Sequence, residues 1–543
     1  MNTTASIPRL MVSGLSGGGG KTLAALGLVR AFTRRGLTVK PCKKGPDYID
    51  SAWLGLASGL TPTNLDPYFL SEARLLALFS HVTAGADMAL IEGNRGLYDG
   101  RDLEGSCSTA ALARTLNAPI LLILTVTKMT RTAAAIIAGL ASFEPVSLAG
   151  VMLNRVGSSR HAALIRRSIE TYTGIPVIGE LPSLTVNPIP ERHMGLVSMH
   201  DEGTASCGNE KLLQALDNLA DLLEKHADVD AALAIARSAS PLVVAQPFWE
   251  ERPEELIGGP LSPAPPHSHA ESATPPLQDS PAHAPDRVSS EESGRQHPVP
   301  TLPSAVKAPV SIGYVRDAAL WFYYEENLEA LRRAGARLVE LSILSPEPWP
   351  CDELNGLYLG GGFPEMVPER IAASPHLEEL RALSRAECPI YAECGGFMIL
   401  CREIRIDGRD YPMAGLFPAR AEFYLRPQGL GYVEATVERE NPFHPRGSVL
   451  RGHEFHYSCC VPLGELEPTL SLSPGVGMSG PGHRARGLAA PLPADVSPEQ
   501  AVWSQKLQGR DGLLVRRTFA AYTHLFAPAV PHWAERFVAS CRN

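Results

Sequence analysis

The chain has 543 residues, of which 44% are hydrophobic and 20% are charged, so it can hold several domains with buried cores. Its net charge is −9 and its basic residues do not cluster, which argues against a nucleic-acid partner. Its longest apolar run, over residues 119–126, is far shorter than the roughly 18 residues of a membrane helix, and residues 1–8 lack the apolar stretch of a secretory signal. We therefore expect a cytoplasmic protein with 10 reduced cysteines and no membrane partner.

The first half of the chain alternates between patterns typical of strands and of helices. Short apolar runs predict strands over residues 9–15, 38–42, 88–92, 119–126 and 148–153. Apolar residues at helical spacing predict helices over residues 21–35, 132–140 and 161–171. This order predicts an α/β domain over residues 1–240, in which helices cover both faces of a mostly parallel sheet.

The first predicted strand leads into a glycine-rich loop typical of phosphate-binding proteins. An ATP site is predicted at Ser16, Gly17, Gly18, Gly19, Gly20, Lys21 and Thr22. Glycines let backbone N–H groups approach phosphates, while the Lys21 ammonium would reach the β- and γ-phosphates and the Thr22 hydroxyl would bind Mg²⁺. The match is imperfect, because Leu15 stands where the first glycine is usual and Gly14 comes one position earlier.

Acidic residues follow two later strands of the first half. An open α/β sheet binds ligands at the carboxyl ends of its strands, and Mg²⁺ prefers hard oxygen ligands. The candidate Mg²⁺ ligands are therefore the acids Asp47 and Glu92 and the hydroxyl of Thr22. The candidates for substrate binding and activation stand on the same two loops: Tyr48, Asp50 and Asp99.

Proline is concentrated in one segment between the two halves of the chain. Of the 47 prolines, 12 lie in residues 251–308, a segment that has no Phe, Tyr or Trp. Such a segment cannot bury enough apolar surface to offset the entropy lost on ordering. Residues 251–308 are therefore predicted to be a disordered linker that joins two folded bodies.

The second half, over residues 309–543, begins again with strand and helix patterns. Strands are predicted over residues 310–315 and 337–343, with a helix over residues 324–334 between them. Two later strands end in glycines, and the second of them reaches Cys394 and two glycines before a helical segment begins. This is the pattern of a nucleophile elbow, a sharp strand-to-helix turn that presents one side chain.

Cys394 is the predicted nucleophile of an acyl-transfer site. Its position at the start of a helix predicts a lowered thiol pKa and hence a larger thiolate fraction. The backbone N–H groups of Gly361, Gly362 and Gly395 are candidates for an oxyanion hole. Since a thiol nucleophile needs a base, His524 near the C-terminus is the candidate for that role.

Ten stretches of the chain resemble, in order, motifs of the cobyrinic acid a,c-diamide synthase family of corrinoid biosynthesis. They are GPDYID, NLDP, IEGNRGLYDG, GSCSTA, VMLNRVGS, PERHMGLV, RDAALWFYYEENL, LYLGGGFPE, YAECGG and RGHEFHYS. The resemblance covers nearly the whole chain outside the predicted linker.

The resemblance implies a division of labour between the two halves. Residues 1–240 would form a P-loop domain similar to dethiobiotin synthetase, and residues 309–543 a class I glutamine amidotransferase domain of the cobyric-acid type. The second domain would release ammonia from glutamine through a glutamyl thioester on Cys394, and the first would let it attack an acyl phosphate made with ATP. The a and c carboxylates of cobyrinic acid would be amidated in turn. The implied partners are the corrinoid, glutamine and ATP, with Mg²⁺ as cofactor, and the family implies a homodimer.

The chain departs from the family's pattern in several places. Phe526 stands where most class I amidotransferases have a Glu two residues after the catalytic histidine, so a Cys–His dyad is expected. Asn94 and Arg95 stand where the family usually has apolar residues. The Gly- and Pro-rich tract over residues 472–509 resembles an insertion, and we expect neither this tract nor the long linker to carry chemistry.

Other functions remain open at this point. Cobyric acid synthases amidate other corrin carboxylates with the same two domains, although residues 45–50 and 451–458 favour the a,c-diamide branch. The sequence does not distinguish amidation of cobyrinic acid from amidation of the a and c acetates of a nickel or cobalt sirohydrochlorin. A deviant P-loop partitioning ATPase is disfavoured. Such proteins have a signature lysine five residues before the P-loop lysine, and this chain has Ser16 at that position.

Overall fold

The computed structural model describes residues 3–184, 189, 191–192, 195–196, 208–249, 310–479 and 498–542. The predicted linker over residues 251–308 lies outside these ranges, as do residues 480–497 of the Gly- and Pro-rich tract. Residues 1–248 and 309–543 belong to one compact unit. Among the described helices, none has the length and apolarity needed to cross a membrane.

The first half of the chain folds around a parallel sheet of seven described strands. In spatial order these are Thr63–Leu65, Val39–Lys44, Met88–Glu92, Arg9–Gly14, Ile120–Thr125, Leu148–Val156 and Val177–Pro182. All neighbouring strands in this sheet run parallel, as the alternation of strand and helix patterns predicts. Their carboxyl ends therefore meet at one edge, where the phosphate-binding loop and the acidic loops begin.

Helices connect these strands. Those of the first half are Lys21–Arg34, Ile49–Ser58, Glu72–Val82, Thr109–Thr115, Thr132–Phe143, Ser159–Thr173, Gly208–His226 and Val229–Arg237. The first of them buries Leu26 in a core shared with Leu219 of the helix Gly208–His226. Each such leucine contributes about 1.5–3 kcal/mol through burial, so this core holds the helix that follows the phosphate-binding loop against the sheet.

One strand of this sheet is longer than the sequence pattern predicts, and the difference matters for the site. The strand predicted over residues 38–42 is Val39–Lys44, and its last two residues, Lys43 and Lys44, are only 2% and 6% exposed. Charged side chains are rarely buried, so the apolar pattern ends before them. Tertiary structure buries Lys43 among carboxylates, which offsets the cost of its charge.

The second half contains a sheet of six described strands. In spatial order these are Ala336–Leu341, Val310–Val315, Gly356–Leu359, Ile390–Glu393, Thr518–Ala521 and Leu513–Val515. The first five run parallel and the last is antiparallel. The described helices of this half are Glu325–Arg333, Pro368–Ala372, His376–Arg385, Gly395–Leu400, Pro498–Leu507 and Trp533–Ser540.

Two further sheets accompany this one. One has the order Arg510–Asp511, Leu470–Leu472, Gly429–Val437, Val449–His456 and His524–Leu525, and all its neighbours are antiparallel. The other has the order Arg409–Pro412, Cys401–Ile406, Phe417–Phe423 and Ser458–Pro462. A short pair, Leu320–Phe322 with Gly361–Gly362, lies beside them. The antiparallel sheet pairs His453 directly with His524.

The chain of the first half continues past the predicted boundary at residue 240. The strand Leu242–Val244 pairs antiparallel with Thr3–Ala5, and Arg74 donates a hydrogen bond of 2.5 Å to the carbonyl of Phe248. A second short pair, Glu191–Arg192 with Gly195–Leu196, precedes the helix Gly208–His226. The domain limits 1–240, 251–308 and 309–543 stay predictions.

Candidate active site

The predicted phosphate-binding loop, here called the phosphate cradle (residues 14–22), joins the strand Arg9–Gly14 to the helix Lys21–Arg34. Gly18 and Gly20 have φ values of 69° and 90°, a left-handed conformation that favours glycine. The Lys21 ammonium donates a hydrogen bond of 2.6 Å to the carbonyl of Ser16. Asn154, which the sequence reasoning missed, donates one of 3.1 Å to the carbonyl of Gly19. The loop thus has the strand–loop–helix form of a phosphate site.

Three predicted acids, here called the acid cluster (Asp47, Asp50 and Glu92), converge beside the phosphate cradle. The Thr22 hydroxyl donates a hydrogen bond of 2.6 Å to Glu92 Oε1 and lies 3.5 Å from Asp50 Oδ2. Lys43 lies among the acids, with its Nζ 2.7 Å from Asp50, 3.0 Å from Glu92 and 3.7 Å from Asp47. The sequence reasoning considered only acids on these loops and so missed Lys43, which ends the strand before them.

Burial and charge set the protonation of this cluster. Burial raises the pKa of Glu92, and burial together with the nearby Asp50 carboxylate raises the pKa of Asp47 to about 7. Burial alone would raise the pKa of Asp50 too, but Lys43 outweighs it and holds that pKa below its usual value. Burial alone would lower the pKa of Lys43, but the surrounding carboxylates raise it. Asp50 is therefore ionised beside the Lys43 ammonium, whereas the charged forms of Asp47 and Glu92 are disfavoured in the absence of a bound cation.

Asp99 and Tyr48, the other two candidates for substrate binding, take different positions. Asp99 Oδ2 accepts a hydrogen bond of 2.9 Å from the N–H of Gly96, and the residue lines the same cavity as the acid cluster. Tyr48 is 7% exposed, and its ring stacks on Phe322 of the second half, with centroids 4.5 Å apart and planes at 7°. Residues 47–50 therefore contact both halves.

A cavity of about 1110 Å³ adjoins all of these residues. From the first half it is lined by residues of the phosphate cradle, by the acid cluster and by residues 93–95 and 99–101. From the second half it is lined by residues 430–432, 453–455 and 474–476. Its volume is at the upper end for small-molecule sites, so it has room for more than one ligand. Residues 474–476 belong to the Gly- and Pro-rich tract, so the start of this tract lines the cavity. That the tract carries no chemistry stays a prediction.

The second predicted centre has the backbone of a nucleophile elbow. Cys394 follows the strand Ile390–Glu393 with φ 46° and ψ −100°, a conformation that is strained for a residue with a side chain, and the helix Gly395–Leu400 begins directly after it. Its thiol donates a hydrogen bond of 3.5 Å to the carbonyl of Phe455.

The expectation of a lowered thiol pKa at Cys394 is wrong for this conformation. The residue is 2% exposed rather than presented to solvent. Burial raises the pKa of the Cys394 thiol well above its usual value, and the carboxylate of Glu365 adds to the shift. The N–H of Gly395 acts in the opposite direction but is outweighed, because a charge in a low-dielectric interior loses its hydration. A base is therefore needed to remove the proton.

The candidate base, His524, is fully buried beside the elbow. Its Nδ1 lies 3.5 Å from Oε2 of Glu393, the residue directly before Cys394 in the chain. Sequence reasoning expected no third residue because Phe526 stands at the usual position, and it overlooked this neighbour. A carboxylate there can orient the imidazole from the nucleophile's own strand.

The candidate oxyanion-hole glycines lie in the same place. A side chain at Gly361 would collide with the His524 ring. A Cβ at Gly395 would lie 2.9 Å from the backbone nitrogen of Gly362. The structure therefore brings Gly361, Gly362 and Gly395 together beside His524 and the elbow. Residues with side chains could not approach so closely, because their Cβ atoms would collide with these neighbours.

His453 is a further residue that sequence reasoning did not assign to the site. Its ring stacks on that of His524, with centroids 4.8 Å apart and planes at 18°. Burial lowers the pKa of His453 well below its usual value, with a contribution from His524, so the ring is neutral. Neither of its ring nitrogens has a hydrogen-bond partner among the described residues. Tyr48 closes the group, with its ring centroid 5.5 Å from His524 and 5.7 Å from His453.

Comparisons with known proteins agree with this arrangement of two centres. Residues 10–197 match a CobQ/CobB/MinD/ParA nucleotide binding domain, and residues 311–530 match a CobB/CobQ-like glutamine amidotransferase domain. The cobyrinate a,c-diamide synthase of Magnetococcus marinus is 34% identical over 97% of this chain and 96% of its own length. That of Archaeoglobus fulgidus is 32% identical over 98% of this chain and 97% of its own length.

A relative that is named for a different corrinoid matches equally well. The hydrogenobyrinate a,c-diamide synthase of Streptomyces coelicolor is 34% identical over 99% of this chain and 98% of its own length. Because these matches extend over nearly the whole chain and include both domains, the chain belongs to the family of cobyrinate and hydrogenobyrinate a,c-diamide synthases.

Proposed function

We propose that this chain is a glutamine-hydrolysing ligase that uses ATP to amidate the a and c carboxylates of cobyrinic acid. Its family supports this reaction, and one structural observation carries it. A single cavity joins the phosphate cradle to residues 453–455. Of these residues, Phe455 contacts the thiol of Cys394 and His453 stacks on His524. An activated carboxylate and a source of ammonia can therefore meet without release of ammonia to water.

The phosphate cradle and Lys21 serve the activation of the carboxylate. A carboxylate resists attack by ammonia because it is negatively charged and has no good leaving group. Transfer of the γ-phosphoryl group of ATP to its oxygen makes an acyl phosphate, whose phosphate can leave. The ammonium of Lys21 and the backbone N–H groups of the cradle would stabilise the charge on the transferring group.

The acid cluster fits a single Mg²⁺ that ATP shares. Its three carboxylates outnumber the single ammonium of Lys43, and Glu92 Oε2 is buried with no hydrogen-bond partner among the residues that the structure describes. Among the described residues no group of three or more His, Cys, Asp or Glu side chains is arranged to hold a metal by itself. Mg²⁺ usually needs only one or two carboxylates beside phosphate oxygens. Thr22, Asp47 and Glu92 would hold it, and the bound ion would offset phosphate charge.

Asp50, Tyr48 and Asp99 would act on the substrate side of this site. Asp50 holds Lys43 in place, which keeps the cluster together. Tyr48 and Asp99 line the cavity on the loops that flank the cluster, where the corrinoid carboxylate must approach the γ-phosphate. These roles follow from position in the cavity and complete the ligase site.

Cys394 and His524 would release the ammonia. His524 takes the thiol proton, and the resulting thiolate attacks the side-chain amide carbon of glutamine. The Gly361, Gly362 and Gly395 region would stabilise the oxyanion. As the C–N bond breaks, His524 returns the proton to the leaving ammonia, and water then hydrolyses the glutamyl thioester to glutamate. Glu393 would orient His524 and stabilise its protonated form, in the way that the third residue of a triad does.

Ammonia would leave through the wall that separates this centre from the cavity. That wall contains Tyr48, His453 and Phe455, which line the cavity on one side and contact the Cys394–His524 centre on the other. The wall is therefore one side chain thick at these residues. Neutral His453 can accept a hydrogen bond from ammonia without protonating it, which keeps the nucleophile reactive.

The proposed partners are small molecules: the corrinoid, glutamine and ATP. The reaction requires no nucleic acid or membrane, and we place it in the cytoplasm. A homodimer remains a prediction of the family resemblance, and sedimentation equilibrium of the purified full-length protein tests it.

The test of the proposed function is a mass assay with each tetrapyrrole. The purified protein is incubated with MgATP, glutamine and either cobyrinic acid, hydrogenobyrinic acid or a metallated sirohydrochlorin. Two successive carboxylate-to-amide conversions on cobyrinic acid support the proposal. No mass change on cobyrinic acid contradicts it, and reaction only with another tetrapyrrole reassigns the substrate. Amides at other corrin positions would indicate cobyric acid synthase activity.

Cys394→Ser separates the two centres within the same assay. It should abolish amidation with glutamine and leave amidation with added ammonia intact, because the ligase site does not depend on the thiol. Cys351→Ser, at a half-buried thiol outside both centres, is the matched control. Loss of the ammonia-dependent reaction in Cys394→Ser would mean that the proposed separation of roles is wrong.

A further inference from the structure

Three basic side chains line the cavity outside the phosphate cradle and the acid cluster: Lys44, Arg95 and Arg101. They come from two loops at the carboxyl edge of the first sheet. No described residue forms a side-chain hydrogen bond or ion pair with any of the three, whereas Lys43, the neighbour of Lys44, pairs with carboxylates. Three cations thus face the cavity, none of them in a direct ion pair with a described residue.

Lys44 gives the strongest reason to expect an anionic ligand. It is 6% exposed, and burial lowers its pKa, with a further contribution from the like charge of Arg95. Its nearest opposing charge is Asp66, which already accepts hydrogen bonds of 2.9 Å from the N–H of Tyr68 and 2.8 Å from the hydroxyl of Tyr432. Keeping a buried ammonium without a direct partner is unfavourable, so a ligand oxygen in the cavity would stabilise it.

Arg95 and Arg101 add two guanidinium groups at the same wall. Arg95 has a φ of 52° in the tight loop between Glu92 and Asp99, and its side chain is exposed to the cavity. The Arg101 guanidinium lies 5.1 Å from the ring centroid of Tyr68. That ring in turn stacks on Tyr432 at 4.2 Å. The aromatic stack orients Arg101, whereas Arg95 is free to pair with a ligand.

We propose that Lys44, Arg95 and Arg101, here called the cationic rim, bind a side-chain carboxylate of the tetrapyrrole that is not itself amidated. This inference rests on the proposed function, because a corrinoid with further carboxylates besides a and c is the polyanion that such a rim fits. Guanidinium groups pair with carboxylates through two parallel hydrogen bonds.

The rim and the acid cluster together would orient the substrate. A non-reacting carboxylate is attracted to the three cations of the rim and finds no such cations among the carboxylates of the acid cluster, where Lys43 is already paired. With one carboxylate held there, only certain others can reach the γ-phosphate, so the rim contributes to the choice of a and c.

The test compares Arg95→Met, Arg95→Lys and a control, Arg167→Met, which removes an exposed arginine of the helix Ser159–Thr173 that does not line the cavity. Binding of cobyrinic acid is measured by difference absorption without ATP, and KM values are measured for all three substrates. We expect Arg95→Met to raise the Kd and KM for the corrinoid about tenfold, with less salt dependence than the wild type. The KM values for ATP and glutamine should stay within about twofold, and Arg95→Lys should recover part of the affinity.

The possible results separate this inference from the proposed function. If the wild type amidates the corrinoid and Arg95→Met binds it equally well, the inference that the cationic rim binds the corrinoid is wrong, while the proposed function is retained. If Arg95→Met raises the KM for ATP instead, the rim belongs to the nucleotide, which also overturns the inference. If the wild type neither binds nor amidates the corrinoid, both proposals fail. A shifted ratio of a- to c-monoamide in Arg95→Met would support the role in orientation.

Discussion

Asp47→Asn should stabilise the ligand-free protein while impairing the ligase. The folded-state pKa of Asp47 is about 7, against 3.8 for an ordinary aspartate, because the side chain is largely desolvated and lies near the carboxylate of Asp50. The folded state therefore holds a proton that the unfolded chain releases near pH 4. As the pH rises from about 4 to about 7, ionised Asp47 destabilises the fold increasingly, and above about pH 7 the full penalty is present.

The size of this penalty follows from the pKa difference and the exposure. A difference of about three pH units corresponds to about 4 kcal/mol, but the side chain is 29% exposed, so solvent screening reduces this to about 2 kcal/mol. Asparagine keeps the oxygen that accepts the 3.0 Å hydrogen bond from the N–H of Asp50 and removes the charge. For a domain of roughly 200 residues, about 2 kcal/mol raises the Tm by several degrees.

The assay is thermal unfolding without nucleotide or metal, at about pH 8 and about pH 4.5. The Asp47→Asn protein should melt several degrees above the wild type at pH 8 and close to it at pH 4.5. Asp50→Asn, three residues along the same loop, is the matched control with the opposite sign. Lys43 lowers the pKa of Asp50, so that carboxylate stabilises the fold above its unfolded pKa, and its loss should lower the Tm at pH 8.

One result would refute this reasoning: an Asp47→Asn protein that melts at or below the wild-type temperature at pH 8. Adding MgATP provides a second readout. If Asp47 binds Mg²⁺ with the nucleotide, MgATP should raise the Tm of the wild type more than that of Asp47→Asn, because stabilisation by a ligand grows with affinity. Equal stabilisation would remove Asp47 from the metal site.

Three further changes test the proposed roles of single residues. Glu393→Gln should lower the kcat of glutamine hydrolysis by about a hundredfold and leave ammonia-dependent amidation unchanged; equal loss of both would indicate a structural role. Tyr48→Ala opens the wall between the two centres, so the ratio of glutamate to amide formed should rise above the wild-type value, and an unchanged ratio would remove Tyr48 from the ammonia path. Lys21→Ala should reduce amidation by at least about a hundredfold with glutamine or ammonia, and retention of either reaction would exclude Lys21 from phosphate binding.

Local patterns in the sequence predict the architecture correctly. Alternating strand and helix patterns predict the parallel sheet of the first half, and the glycine-rich loop predicts the strand–loop–helix that surrounds Lys21. The elbow at Cys394 is predicted in the same way, by a strand that ends in a cysteine and two glycines. These features depend on residues near one another in the chain, where periodicity and glycine content act directly.

Charges and their partners depend on contacts that local patterns do not encode. Lys43 lies just beyond the strand predicted over residues 38–42, yet it is buried in the sheet because three carboxylates surround it. The sequence predicts that the helix lowers the pKa of the Cys394 thiol. Burial raises this pKa instead, because desolvation depends on all the groups packed around the sulfur. The sequence predicts that Tyr48 belongs to the substrate site beside Asp47, yet its ring also lies against that of His524.

The sequence by itself determined the family and the two α/β folds and supplied the candidate site residues, since motifs are local and their order survives in the chain. Only the tertiary structure decided which residues share a site. Glu393 beside His524, His453 between the two centres and the three cations of the rim each bring together segments far apart in sequence. The physical reason is that burial and Coulomb interactions depend on distance in space, which a linear pattern does not specify.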